Sequence, residues 1–299
     1  MWGELTISTR CSSSEYIRGR SRAARETWTW INRPGQKKIP PLHANSKTTF
    51  CMSSSNSLKT VNITYQDGDV ELQAYVAFDS QAEGPLPGVL VGHTAIGMQE
   101  EFIYEQTRKI ASLGYCAFAL DMFGTGEVVL DPEKRGALLD YFKQDRSNVR
   151  RRVAAAFHAL CALPEVDEQR IAGVGYCFGG RVMLDLARSG LPVRGVVSLH
   201  GVLDAPELPD HPAISAKVLA IHGHIDPFTT PEKVLEFEEE MERKNVDWQL
   251  HNYGGTMHAF TRPDKTLDEH RKAGFQYDRK ADLRSWRATT QFLEEVFEC

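Results

Sequence analysis

Apolar positions along the chain follow two rhythms. Residues 61–65 and 70–78 alternate apolar and polar side chains around Gln66-Asp67-Gly68-Asp69, and an Asp-Gly pair between two such runs predicts a β-hairpin closed by a tight turn. The pattern then changes. Short apolar runs at 89–91, 115–120, 170–176, 193–199, 217–222 and 248–253 read as six further strands. Segments with helical spacing separate nearly all of them, at 100–113, 132–163, 181–189 and 231–244, and a last one at 278–297 closes the chain. Strands that alternate with helices predict an α/β fold: a doubly wound, mostly parallel sheet with an N-terminal β-hairpin and helices on both faces. The highly charged stretch 140–152 is expected on a solvated helix face, and the loop before it, 124–133, near a pocket.

Composition sets limits on this picture. With 299 residues, 41% hydrophobic and 25% charged, the chain can bury one sizeable core, expected over residues 57–299. Charge is uneven. Nine Lys/Arg and three Asp/Glu through Cys51 make that segment +6, which leaves −11 of the net −5 to the rest. Residues 1–56 therefore read as a basic, Ser- and Arg-rich extension, either disordered or an organellar transit segment. The expected location is cytoplasmic in the first case and mitochondrial or plastid in the second. The 6 cysteines are scattered, which suits a reducing compartment. The net negative charge gives no reason to expect nucleic acid, and no apolar run approaches the roughly 20 residues needed to span a bilayer as a helix.

The chemistry concentrates after three strands. Gly175-Tyr176-Cys177-Phe178-Gly179 follows the run 170–176 and precedes a helical segment, the arrangement of a nucleophile elbow with cysteine in place of serine. Glycines on either side permit a sharp turn, and the nearby helix N-terminus favours thiolate over thiol. This geometry is expected to push the side chain into open solvent. Asp226 follows the strand ending at His222, and His258 follows the strand ending at Tyr253. Nucleophile, acid and histidine in that order are the chain order of the α/β-hydrolase triad. The usual geometry of that fold assigns the oxyanion hole to the backbone N–H groups of Phe178 and Ala95. His222 and His224 lack further ligands at metal spacing, so no metal is expected. His93 and His200 are expected to pack or to line the cleft edge.

On the segments 173–180, 223–227 and 254–260, the chain resembles the dienelactone hydrolase family, the carboxymethylenebutenolidase-like α/β hydrolases, over roughly residues 61–297. The resemblance implies the same roles for Cys177, Asp226 and His258: nucleophile, orienting acid and general base. It places Thr94 where reference members carry a glutamate that helps to activate the cysteine. Either His258 generates the thiolate directly, or the substrate or the rate differs. Arg262 matches an arginine that members use to hold a substrate carboxylate, whereas Thr125 stands where a second would be. The expected activity is hydrolysis of a small, carboxylate-bearing ester or lactone through an acyl-cysteine, with no cofactor. A thioesterase and a non-catalytic ligand-binding homologue are the alternatives. Monomer and homodimer are both compatible with the sequence.

Overall fold

The computed structural model describes residues 57–124, 128–207 and 212–298. The expected N-terminal extension and Thr125 lie outside these residues. Strands β1 (Leu58–Asp67) and β2 (Val70–Asp79) form the antiparallel hairpin, turning through Gly68 at φ 59°. The left-handed backbone there suits glycine, which has no side chain to clash.

The hairpin edges an eight-stranded sheet ordered β1-β2-β4-β3-β5-β6-β7-β8. Its parallel part comprises β3 (Leu86–Gly92), β4 (Cys116–Leu120), β5 (Val166–Tyr176), β6 (Gly195–Leu199), β7 (Lys217–Gly223) and β8 (Trp248–Tyr253). Successive side chains point to opposite faces. Val89 and Val91 join a core with α1 (Glu101–Ala111) and α7 (Arg279–Glu298). Leu90 joins the other core, formed with α3 (Arg146–Cys161), α4 (Phe178–Arg188) and α5 (Pro231–Arg243). The sheet is thus covered on both faces, as the alternating pattern predicts.

Strand order fixes where a ligand can reach. After β3 the chain crosses to β4 on one side, and after β4 it returns to β5 on the other. The loops leaving β3 and β5 therefore diverge and open a crevice at the sheet's carboxyl edge. The first loop carries Thr94 and Ala95; the second carries Cys177.

The single predicted helix 132–163 is two helices, α2 (Pro132–Gln144) and α3. Asp145 breaks it with extended angles, φ −134° and ψ 100°, and its carboxylate accepts from the Ser147 N–H at 2.9 Å. An Asp that caps the next helix offers the backbone an alternative to continuing the first. The break lets Arg146 reach inward, where Nε and Nη2 both lie 2.7 Å from the buried Asp185 carboxylate. Arg188 similarly pairs with Glu240 at 2.6 Å. Buried pairs of this kind bind α4 to α3 and α5, and removing one partner strands the other at a cost of about 3–5 kcal/mol. A short helix, α6 (Asp268–Lys272), has no counterpart in the sequence pattern.

Candidate active site

The elbow begins with Cys177, whose φ of 57° and ψ of −115° lie in a region that L-residues rarely occupy. Such a backbone costs on the order of 1–3 kcal/mol and persists only where surrounding contacts impose it. Here the contacts are explicit. The Cys177 N–H donates to Leu199 O at 3.0 Å, and Gly179 N–H donates to His93 O at 2.8 Å. The first turn of α4 therefore seats directly on the ends of β3 and β6. A Cβ on Gly175 would stand 2.0 Å from Gly179 O, and one on Gly179 would stand 2.3 Å from the Gly92 carbonyl. Both clashes are against backbone, which has no rotamer to give. Gly175→Ala should accordingly destabilise the protein by about 3 kcal/mol, the upper end of overpacking costs. Urea denaturation would show it as a lower midpoint, and an unchanged midpoint would mean that the elbow tolerates a methyl group.

The three residues singled out after β5, β7 and β8 converge. His258 Nδ1 lies 2.6 Å from Asp226 Oδ2, while Asp226 Oδ1 accepts from the Phe228 N–H at 2.8 Å. A carboxylate only accepts, so Nδ1 bears the proton. The other ring nitrogen is left to hydrogen-bond the Cys177 thiol. Phe228 and Phe275 pack edge-on against the imidazole, with ring centres at 5.0 and 5.6 Å.

Charge is redistributed within this group. Burial opposes ionisation of Cys177, but the His258 charge, its hydrogen bond, and backbone hydrogen bonds with Ala95 and Phe178 outweigh that cost and hold the thiol below its ordinary 9.0. Burial likewise opposes the charged form of His258, yet the thiolate and Asp226 raise it to about 10. Each group thus favours the charged form of the other. The other free cysteines among the described residues differ, since burial raises Cys161 and pushes Cys116 up to about 12. Cys177 itself is half-buried at a cavity floor, not in open solvent, because the His258 loop and the loop after β3 close over it.

Two cavities of about 260 Å³ each meet at Ala95, Cys177, His258 and Phe275. One continues past Thr94, Arg135, Arg262 and Lys265. The other is mostly apolar, with Leu139, Phe178, Val202 and Phe228 on its walls. A larger cavity of about 700 Å³ lies near Cys161, Glu168 and Lys217, at the opposite edge of the sheet. Its size does not make it the reaction site, because it holds none of the groups just described.

Thr94 and Arg262 share a partner that the sequence did not suggest. Thr94 Oγ1 donates to Glu100 Oε2 at 2.9 Å, and Arg262 Nη2 lies 2.5 Å from Glu100 Oε1. Arg262 also grips Asp264 at 2.8 and 3.0 Å and lies 4.8 Å over the Phe102 ring. A carboxylate thus stands beside Thr94 after all, supplied from the N-cap of α1. Arg181 bonds Asp204 at 3.0 Å. His93 bridges Thr94 O and the Met122 N–H, joining the ends of β3 and β4.

A model of the dienelactone hydrolase family matches residues 72–297. The chain belongs to this family. Its members act on ester and lactone bonds, and this chain is a hydrolase of that kind. A structure of a dienelactone hydrolase-like promiscuous phosphotriesterase, P91, from metagenomic libraries is 36% identical, with a TM-score of 0.76, over 81% of this chain and 99% of that one. An uncharacterised protein of Caenorhabditis elegans is 36% identical over 148 residues, 49% of this chain and 92% of its own length. A carboxymethylenebutenolidase-named protein of Aquifex aeolicus is 23% identical over 242 residues, 78% of this chain and 96% of its own. The family's extent within the chain coincides closely with the strands and helices that build the crevice.

Proposed function

We propose that this dienelactone hydrolase family member cleaves small esters or lactones through a covalent acyl-cysteine. The Cys177 thiolate attacks the carbonyl carbon, and the resulting oxyanion accepts from the N–H groups of Ala95 and Phe178. The ester oxygen leaves with the proton of His258. His258, held by Asp226, then takes a proton from water, whose oxygen attacks the thioester, and collapse releases the acid and returns the Cys177 thiolate beside the protonated imidazole. One observation carries this reading: Cys177 and His258 together line the junction of two cavities, and Asp226 holds the imidazole from behind at 2.6 Å. No step calls for a metal or an organic cofactor.

Incubation with a panel of activated esters, lactones and thioesters, read by intact mass, tests it. The expected product is a single acyl adduct that maps to Cys177. Turnover without any adduct on Cys177 would overturn the mechanism. A phosphotriester belongs in the panel because P91 is named for that activity, and the same thiolate and donors could serve a phosphoryl group.

The wall bearing Arg262 favours an acidic substituent on the substrate. The guanidinium reaches that wall with Asp264 and Glu100 already bound, so the preference it confers should be weaker than that of an unpaired arginine. Arg262→Ala should raise KM for a carboxylate-bearing lactone and spare a neutral ester of equal size. Equal effects on matched acid and neutral substrates would assign Arg262 to supporting the loop instead.

A further inference from the structure

Four non-glycine residues among those described have positive φ: Cys177 at 57°, His200 at 41°, Asn245 at 51° and Ala259 at 57°. Asparagine and histidine adopt it more readily than most residues; cysteine and alanine do not. Cys177 is the candidate nucleophile, and Ala259 directly follows the candidate base. Strain that clusters at one place indicates that the place needs it. His200 is the member of this set with no role yet assigned.

His200 is fully buried, immediately after β6, and its own N–H donates to Ile221 O at 2.8 Å. Its ring spans two parts of the site. Nδ1 accepts from the Cys177 N–H at 3.1 Å, and Nε2 lies 2.8 Å from Thr261 Oγ1, three residues beyond His258. A backbone N–H can only donate, so Nδ1 is unprotonated and Nε2 donates to the threonine. The ring centre is 5.1 Å from that of His258 and 4.9 Å from that of Phe260. Burial, together with the charges of His258 and Arg262, keeps His200 well below the ordinary histidine range, hence neutral.

We propose that His200 is a positioning residue that locks the nucleophile elbow to the loop carrying His258, through Nδ1 on the Cys177 N–H and Nε2–H on Thr261. The inference rests on Cys177 and His258 being the reacting pair. A neutral ring suits this position because it accepts from the elbow without adding a second cation beside the imidazolium. Removing it leaves the Cys177 N–H to Leu199 O alone, unties the elbow from Thr261 and opens space next to His258. The sulfur and the imidazole then no longer hold a fixed separation, and the ion pair weakens.

The test reads the pH profile of Cys177 alkylation. The charged and titratable groups on the cavities that meet at the thiol are His258 with Asp226 behind it, Arg262 with Glu100, Arg135, Lys265 and His270 on one side, and Asp140, Lys143 and Arg181 on the other, and none of these is altered. His200→Gly removes the ring while suiting the positive φ. It should raise the alkylation midpoint, lower kcat and leave KM for a neutral ester nearly unchanged. His200→Asn tolerates the same backbone and offers an oxygen close to Nδ1, so it should recover part of both losses. A midpoint in His200→Gly equal to that of the parent overturns the inference, since a mere packing role would not move it. Imidazole ¹⁵N spectra of the unsubstituted protein provide a check that needs no variant. They should show His200 Nδ1 bare and Nε2 protonated across neutral pH, and a proton on Nδ1 would also overturn it. If Cys177 in the parent alkylates no faster than Cys161, the nucleophile assignment itself fails, which is a separate result.

Discussion

A Cys177→Ala protein should fold as the parent does and lose ester turnover by on the order of a thousandfold or more. Alanine retains the Cβ, so the strained backbone at φ 57° is neither relieved nor worsened, and only a half-buried sulfur is lost. The rate falls because no other described cysteine can substitute: Cys116 is buried in the sheet, with its thiol pushed up to about 12. Peptide mapping after brief iodoacetamide treatment should find Cys177 labelled ahead of Cys116 and Cys161 in the parent. Its labelling rate should decline only as pH drops through a midpoint below 9.0, because the ion pair holds the thiol below that value. Wild-type turnover by a folded Cys177→Ala protein would end the assignment.

Loss of the base and loss of its orienter should differ in kind. His258→Ala removes the group that both stabilises the thiolate and moves the proton, so the Cys177 midpoint should rise, with only the backbone hydrogen bonds from Ala95 and Phe178 left to oppose burial. Asp226→Asn keeps the shape but replaces an acceptor with a mixed amide next to His258 Nδ1, 2.6 Å away. The amide can donate to Nδ1 and so stabilise the wrong tautomer, which turns the protonated nitrogen toward the thiol. A decrease of up to about ten-thousandfold follows from the corresponding change in a serine protease. Rates measured across a pH series check both, and full activity in either variant removes that residue from the mechanism.

Local pattern carried much of this. Glycines spaced around Cys177, with apolar runs before it and helical spacing after it, specify an elbow because only glycine lets backbone approach backbone at 175 and 179. Acid and histidine after successive strands follow from the same rule, since parallel strands deliver all their carboxyl ends to one edge. Where the sequence misled, a short-range preference was hidden by a longer one. Asp145 sits within a run of good helix formers, yet its side chain caps the next helix and frees Arg146 for Asp185, 39 residues away.

What the sequence determined by itself was the class of fold, the order of its strands and the three residues that meet at the crevice, because periodicity, glycine sterics and strand order are properties of neighbours along the chain. Tertiary structure decided the surroundings of those three. Glu100 between Thr94 and Arg262, His200 between Cys177 and Thr261, and the partner charges that lower one pKa and raise another against the cost of burial all depend on groups brought together from distant positions. A histidine after a strand or a glutamate before a helix looks ordinary in a sequence. Only packing supplies the low-dielectric setting and the opposed partners that give it a task.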